Sequence, residues 1–164
     1  MNNAELLSKA EETVKLLKEN SLKIATAESC TGGMVSAYLT SVSGVSDVFE
    51  LGITSYSCKI KNQILGVNQD TLQKFGAISE STAKQMAENI LKISGADIGV
   101  SVTGAAGPKG SEGHEAGFVF IALSDSDYTI VKQLNIEPKN RNFVRQQTVL
   151  NLFNVIINYL KEKS

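Results

Sequence analysis

The sequence predicts an α/β protein, a single three-layer α/β/α domain over residues 1–164 with a mixed central sheet. Segments with apolar residues at helical spacing alternate with short apolar or β-branched runs, and this alternation is typical of an α/β layered domain. The last two strand-like segments follow each other directly, so they should form an antiparallel hairpin and make the sheet mixed. The length of the chain suits one domain with a substantial core.

The individual elements follow from periodicity and from the residues that bound them. Helices are predicted over residues 3–19, 34–42 and 59–66, from a cap at Ser79 to just before Gly95, and after Pro138. Strands are predicted over residues 22–27, 49–57, 97–103, 117–124 and 128–136. In such folds the working loops lie at the carboxyl ends of strands. We therefore expect the segments 28–33, 56–61 and 103–117 to meet in one cleft.

Charge, hydropathy and cysteine count argue against several functional classes. The net charge is −1 without a basic run, which disfavours non-specific nucleic-acid binding and binding to an anionic membrane surface. No apolar stretch approaches the ~20 residues that a membrane span needs, and the acidic N-terminal segment lacks a signal-peptide pattern. Two cysteines and one histidine give neither a zinc spacing nor a disulfide framework. We expect a cytoplasmic protein without a metal or a cofactor.

The segment ATAESCTGG at residues 25–33 ends a buried strand on three potential nucleophiles and two glycines. A strand that turns sharply into a helix aims free backbone N–H groups at one point, which suits a phosphate or a developing oxyanion. Gly32 and Gly33 would allow a ligand to approach the backbone closely. Ser29 is the candidate nucleophile, and the alternative is that Ser29 or Thr31 only caps the helix. Cys30 is a rival nucleophile if the helix N-terminus lowers its pKa, although we favour a packing role.

A serine nucleophile needs a base, and the sequence offers two. Lys61 follows a predicted core strand and would become a base if burial made it neutral. Tyr56, at the end of that strand, would then relay a proton or orient the amine. His114, the sole histidine, would instead support a Ser-His-Asp triad from a glycine-rich loop. The simpler interpretation is that all three are ordinary surface residues.

Two further segments suggest contacts with an anion. Thr103 and Gly104 directly follow a strand and open the loop TGAAGPKGSEGHEAG, which fits neither a Walker A nor a G-x-G-x-x-G pattern. The only two arginines, Arg141 and Arg145, lie four apart at the start of the last helix and so share a face. A guanidinium pair there would grip a phosphate. The alternatives are a surface loop and solvated arginines.

Four segments together resemble the CinA C-terminal domain family. They are A-E-S-C-T-G-G at 27–33, S-Y-S-x-x-x-K-x-x-x-L-G-V at 55–67, T-G-x-A-G-P at 103–108 and R-x-x-x-R at 141–145. The resemblance spans nearly the whole chain. It implies hydrolysis of nicotinamide mononucleotide to nicotinic acid mononucleotide and ammonia, in pyridine-nucleotide recycling. It also implies a metal-free serine–lysine mechanism and a homodimer.

The resemblance assigns roles to residues of this chain. The catalytic group would be Ser29, Tyr56 and Lys61. The residues that bind substrate or stabilise the oxyanion would be Thr31, Gly32, Gly33, Thr103, Gly104, Gly107, Arg141 and Arg145. One departure concerns the lysine-proline-valine-glycine stretch of the family, which here is residues 114–117, HEAG, in a loop about one residue shorter. If that stretch lines the site, a charge near the substrate has changed.

Two other functional classes stay open at the level of sequence. The chain would be a non-catalytic nucleotide-binding module, with a regulatory or competence- and damage-associated role, if its cleft bound a nucleotide without turnover. It would be a structural or regulatory partner protein if it worked through the exposed face of the last helix. Replacement of Ser29 would impair function if the protein is an amidase, but not if it belongs to either of these two classes.

Overall fold

Five strands form one sheet in the computed structural model, which describes residues 3–163. The strands are β1 Ile24–Glu28, β2 Phe49–Thr54, β3 Ile98–Gly104, β4 Phe118–Ser124 and β5 Thr129–Asn135. The helices are α1 Asn3–Glu19, α2 Met34–Thr40, α3 Cys58–Gln63, α4 Gln69–Phe75, α5 Glu80–Ser94 and α6 Arg141–Lys163, with a 3-10 turn at Val45–Asp47.

The sheet is mixed, as predicted, with the strand order β2-β1-β3-β4-β5. β1 lies between β2 and β3 and runs parallel to both, whereas β4 pairs antiparallel with β3 and with β5. The carboxyl ends of the three parallel strands therefore meet at one edge of the sheet. The loops that follow β1, β2 and β3 all begin there, which positions the candidate site.

Helices cover both faces of the sheet, so the predicted three-layer arrangement is confirmed. On one face α1, α2 and α6 bury the larger apolar cluster against β1, β3 and β4. On the other face α5 packs across the sheet, and the chain around α3 and α4 contributes Leu65, Val67 and Leu72. Each layer removes apolar surface from water, which is the main stabilising term of the fold.

Small residues on β3 let α5 approach the sheet closely. The face of β3 toward α5 carries every second residue of the strand, namely Gly99, Ser101 and Thr103. The orientation is shown by Ser101, which donates a hydrogen bond to the carbonyl oxygen of Ala83 in α5 at 2.6 Å. A side chain at Gly99 would collide with the carbonyl oxygen of Ala87. This close approach brings the start of α5 next to the loop after β3.

The prediction differs from the structure mainly at element ends and in one short helix. Helix α4, which Asn68 caps through the N–H of Asp70, was not predicted, and neither was the 3-10 turn. β2 ends at Thr54 rather than at residue 57, and α2 ends at Thr40 rather than at residue 42. Within residues 3–163, no helix combines the length and apolar character that crossing a membrane would require.

Candidate active site

A serine and a lysine from two neighbouring strand ends are in hydrogen-bond contact. Ser29 follows β1 and Lys61 lies in α3, the helix after β2, and Lys61 Nζ is 2.9 Å from Ser29 Oγ. Because β1 and β2 are parallel neighbours, their carboxyl ends bring the two side chains to the same edge. Ser57 caps α3 by accepting the N–H of Ile60, and the helix that begins there turns Lys61 toward Ser29.

Lys61 is buried to an unusual degree for a lysine, with 1% of the residue exposed. Burial disfavours the ammonium form and lowers the pKa of Lys61, against smaller effects of Cys58, Cys30 and Glu112, which raise it. The net lowering favours a neutral amine at a lower pH than an exposed lysine would need. The structure therefore buries Lys61, as its role as a base would require.

The hydrogen bonds around Lys61 hold its amine against Ser29. Its Nζ donates to the carbonyl oxygen of Ser55 at 2.7 Å and lies 3.4 Å from that of Tyr56. A neutral amine has two N–H bonds and one lone pair, so the two carbonyls can accept from the N–H bonds. Lys61 Nζ donates its third hydrogen bond to Ser29 Oγ when it is charged, and the neutral amine can instead accept the hydroxyl proton of Ser29 with its lone pair. This geometry is that of a nucleophile beside its base.

Glu28, rather than Ser29 or Thr31, caps the helix after the serine turn. Its carboxylate accepts the N–H groups of Val35 at 3.0 Å and Ser36 at 2.9 Å, and also the hydroxyl of Ser36 at 2.8 Å. The alternative that Ser29 or Thr31 is the cap is therefore wrong. Sequence reasoning missed this role of Glu28, whose side chain points to the same face as α2 and is buried.

The two glycines supply backbone conformations that other residues rarely adopt. Gly32 and Gly33 have φ angles of 61° and 88°, in the left-handed region that glycine enters without penalty. The N–H of Gly32 donates to the carbonyl oxygen of Ser29 at 3.0 Å. The N–H groups of Cys30, Thr31 and Gly33 have no acceptor among residues 3–163, so they are candidate oxyanion donors. The Thr31 side chain is fully buried.

Cys30 is a core residue and not a reactive thiol. It packs in the larger apolar cluster, and burial raises its pKa to about 11. The expectation that the helix N-terminus lowers this pKa is wrong, because desolvation of the thiolate outweighs every nearby positive charge. Ser29 therefore has the hydrogen-bonded base, while its neighbour serves packing.

Tyr56 contacts the site in a different way from the one expected. Its side chain is 63% exposed, and its hydroxyl accepts a hydrogen bond from Arg141 Nη2 at 2.9 Å. Only its backbone carbonyl lies near Lys61. Arg141 Nη1 also donates to the carbonyl oxygen of Gly107 at 2.6 Å. Arg141 thus links the loop after β2 to the loop after β3.

Of the other residues that were predicted to contact an anion, some line the cleft and others only support the backbone beside it. Thr103 donates its hydroxyl proton to the carbonyl oxygen of Ala77 at 2.7 Å, so the hydroxyl is already paired. Arg145 Nη2 donates to the carbonyl oxygen of Thr31 at 2.6 Å and holds the serine turn. Arg141 and Arg145 share a face of α6, as predicted, but Arg141 lines the cleft while Arg145 braces the backbone beside it.

A cleft of about 400 Å³ opens over the serine–lysine pair. Most of its lining comes from the three segments that were expected to meet, and Ala77, Ile78 and Arg141 complete it. The residues from the three segments include Ser29, Lys61, Gly104, Gly107, Lys109 and Glu112. The size lies within the range of small-molecule sites, roughly 300–1,000 Å³. Residues 3–163 contain no group of three or more histidine, cysteine, aspartate or glutamate side chains arranged to hold a metal ion.

Residues 114–117, which the resemblance marks as a departure from the family pattern, do not line this cleft. Residues 113–117 line a separate depression with residues 135–138. His114 stacks on Phe118, with 4.3 Å between ring centroids, and it does not line the cleft. Ser29 Oγ has Lys61 as its hydrogen-bond partner. The Ser-His-Asp alternative is therefore not supported by the geometry.

Known proteins are similar to this chain in both sequence and fold. The model of the CinA C-terminal domain matches residues 6–160. A putative competence-damage inducible protein from Acetivibrio thermocellus is 49% identical over 147 residues, 89% of this chain and 35% of the relative. A CinA-like protein from Thermotoga neapolitana is 42% identical over 93% of this chain and 37% of the relative. The chain thus spans about a third of the length of these curated relatives.

Solved structures agree closely with the fold. The crystal structure of the competence/damage inducible protein CihA from Agrobacterium tumefaciens superposes with a TM-score of 0.91, at 32% identity over 96% of this chain and 97% of that one. A CinA superfamily protein from Klebsiella pneumoniae superposes with a TM-score of 0.93, at 27% identity and 99% coverage of both.

Fold and site together define an α/β protein with a buried serine–lysine pair in a cleft at the carboxyl ends of parallel strands. The family match covers nearly the whole chain and extends across all the elements that build this cleft. The chain belongs to the CinA C-terminal domain family.

Proposed function

We propose that this protein is an amidohydrolase that converts nicotinamide mononucleotide and water to nicotinic acid mononucleotide and ammonia. The observation that carries the proposal is the 2.9 Å contact between Ser29 Oγ and the buried Lys61 Nζ. A buried lysine without a carboxylate partner is costly to maintain. Its hydrogen bond to a serine that lines the cleft gives that burial a catalytic purpose.

In the first step Ser29 Oγ attacks the carboxamide carbon, and Lys61 accepts the serine proton. The tetrahedral intermediate then collapses as Lys61 returns the proton to the departing nitrogen, which leaves as ammonia. A water molecule attacks the resulting ester, with Lys61 again as base, and releases the carboxylate and free Ser29. General acid–base catalysis of this kind contributes typically about 10²–10⁴-fold to the rate.

The serine turn would stabilise the negative charge that develops on the carboxamide oxygen. The N–H groups of Cys30, Thr31 and Gly33 are donors of the turn without an acceptor in residues 3–163, and of these three residues Cys30 lines the cleft. Each oxyanion donor contributes about 3 kcal/mol in well-studied acyl-transfer enzymes. Arg145 and Glu28 act indirectly, since they hold the two sides of this turn.

The phosphate end of the substrate would lie toward Arg141. This guanidinium lines the cleft, and Lys109 adds a second positive charge. Gly104 and Gly107 line the same wall and leave room for the ribose. We assign Thr103 to shaping this wall, because its hydroxyl proton is committed to Ala77. Tyr56 orients Arg141 through its hydroxyl.

Ammonia release from nicotinamide mononucleotide tests the proposal, with a chelator present throughout. Ser29→Ala should reduce turnover to background while the protein stays folded. Ser81→Ala is the matched control, because Ser81 stands three residues before Lys84 within α5, in a serine–lysine pattern away from the cleft. It should retain wild-type turnover. Full turnover in Ser29→Ala would refute the mechanism.

The relatives are named competence-damage inducible proteins, so we keep one other candidate, a nucleotide-binding protein without catalysis that has a competence- or damage-related role. Calorimetry on Ser29→Ala separates the two. Binding of the mononucleotide by a wild-type protein that releases no ammonia would favour this second function.

A further inference from the structure

Glu112 is held over the cleft at a defined position. Its Oε2 accepts the N–H of Ile78 at 3.0 Å, which ties the loop after β3 to the connection between α4 and α5. Gly76 provides the space, since a Cβ atom there would lie 2.7 Å from Glu112 Oε2. The backbone of Glu112 itself has a φ angle of 51°, a conformation that typically costs a non-glycine residue about 1–3 kcal/mol.

Glu112 also stands out by its charge. Among the lining residues within 3–163 it alone carries a carboxylate, whereas Lys61, Lys109 and Arg141 are basic. Its negative charge acts on Lys61, where it opposes in part the lowering of the pKa that burial causes. The carboxylate therefore lies within electrostatic range of the serine–lysine pair.

The proposed substrate has a matching distribution of charge. Its phosphate is an anion, and its pyridinium ring is a cation that bears the carboxamide directly. When the amide carbon is at Ser29, the ring must lie in the same part of the cleft. A neutral Lys61 gives this cation no repulsion, and a carboxylate nearby would attract it.

We propose that Glu112 is a specificity-determining residue that supplies the counter-charge for a cationic aromatic ring. The cleft would then distinguish a carboxamide on a charged ring from the same carboxamide on an uncharged one. This inference rests on the proposed function and names the substrate class of that site. The hydrogen bond from Ile78 fixes the position of the Glu112 carboxylate. The negative charge of that carboxylate would then attract the ring.

A purely structural role for Glu112 can be separated from this one. Glu112→Gln keeps an oxygen that accepts the N–H of Ile78 and nearly keeps the shape, but it removes the charge. Glu115→Gln is the matched control, because Glu115 is an exposed acid of the same loop that lies outside the cleft lining. If Glu112 only held the loop to Ile78, neither substitution should change the preference of the cleft for a charged ring.

The test compares two ligands that differ in ring charge. Nicotinamide mononucleotide and its reduced dihydro form carry the same carboxamide, ribose and phosphate, but only the first has a cationic ring. Calorimetry is done on Ser29→Ala, which prevents turnover, in mildly alkaline buffer where the dihydropyridine is stable. We expect about tenfold tighter binding of the cationic form, from a partly solvated ion pair.

Glu112→Gln in the same background should bring the two dissociation constants within about threefold of each other. Glu115→Gln should keep the tenfold preference. Unchanged preference in Glu112→Gln, no preference in the parent, or no binding of either ligand would each overturn the inference.

Failure of this inference is distinguishable from failure of the proposed function. Wild-type ammonia release with an unchanged preference in Glu112→Gln would refute the role of Glu112 alone. A preference that depends on Glu112, in a wild-type protein that releases no ammonia, would support the role of Glu112 and refute the hydrolysis.

Discussion

The proposed reaction predicts how activity depends on pH. The proton of Ser29 would be taken by Lys61 Nζ, 2.9 Å from the hydroxyl oxygen, so activity should follow the neutral fraction of this amine. Burial lowers the pKa of Lys61 below its usual 10.5. Loss of one proton gives a tenfold rise in kcat/KM per pH unit on the acid side. The rise should level off clearly below pH 10.5.

Two substitutions of the lysine separate a base from a fixed positive charge. Lys61→Met nearly keeps the volume and removes the amine. Lys61→Arg keeps a cation that can donate to the carbonyls of Ser55 and Tyr56, but a guanidinium does not lose its proton in a protein. Both variants should lose about 10²–10⁴-fold in kcat. Both should also lose the rise of activity with pH.

The assay is steady-state ammonia release from neutral to strongly alkaline pH, with circular dichroism to confirm folding. A plateau at or above pH 10.5 would show that Lys61 titrates as an exposed lysine and would refute the assignment. Activity of Lys61→Arg within tenfold of the wild type would show that the residue acts by its charge. Either result would also remove the main support for a neutral lysine in the cleft.

Unfolding by urea gives a second readout of the same amine. Because the pKa is lowered in the folded state, the unfolded state binds more protons between that lowered pKa and 10.5. Stability should therefore rise with pH within this window, and the contribution should be constant outside it. Lys61→Met should lack this rise.

Two further predictions concern residues beside the pair. Glu28→Ala should lower the free energy of unfolding by about 3 kcal/mol, because the buried N–H of Val35 and the half-buried N–H and hydroxyl of Ser36 lose a charged acceptor. Urea denaturation measures this, and a change below about 0.5 kcal/mol would contradict the capping role. Brief treatment of the native protein with a maleimide at neutral pH should label Cys58, which is exposed, and spare Cys30, which is buried with its pKa raised to about 11. Mass spectrometry after proteolysis would count the labels, and modification of Cys30 at a similar rate would contradict its assignment to the core.

Elements with strong local signals could be predicted from the sequence. Ser79 caps α5 by accepting the N–H of Thr82, and Gly95 ends it in a left-handed conformation, as the residue types indicate. Helix α4 has a cap of the same kind at Asn68, but it is only seven residues long and its apolar spacing is weak. Short helices of this sort depend on tertiary packing more than on their own sequence.

The meeting of Ser29 and Lys61 could be predicted from topology, whereas the orientation of Tyr56 was missed. Side chains alternate along a strand, and Ile53 and Ser55 continue one face of β2. Tyr56 then points the opposite way and only its carbonyl turns toward Lys61. Strict use of this alternation would have found the correct orientation, because the strand ends at Thr54 without a bulge near its end.

The role of Glu28 lay beyond local sequence rules. Ser29 and Thr31 are the residue types that cap helices best, and both lie closer in sequence to α2 than Glu28 does. Glu28 is the cap because it and Thr26 share the face of β1 that α2 covers, as the contact between Thr26 and Ser36 shows. Capping by Glu28 leaves the hydroxyl of Ser29 free for Lys61, so the chemistry of the turn depends on a contact seven residues along the chain.

The glycine-rich loop after β3 has two halves that are held to each other and to the scaffold. Residues 113–117 are anchored by the stacking of His114 on Phe118 and by the N–H of Gly117, which donates to the carbonyl oxygen of Ala105. The other half forms the cleft wall and is fastened through Glu112 to Ile78. Backbone hydrogen bonds in both directions between Ser111 and His114 join the two halves. A change at residues 114–117 can therefore be passed to the wall that carries Lys109 and Glu112, so substrate preference should depend on both halves of the loop.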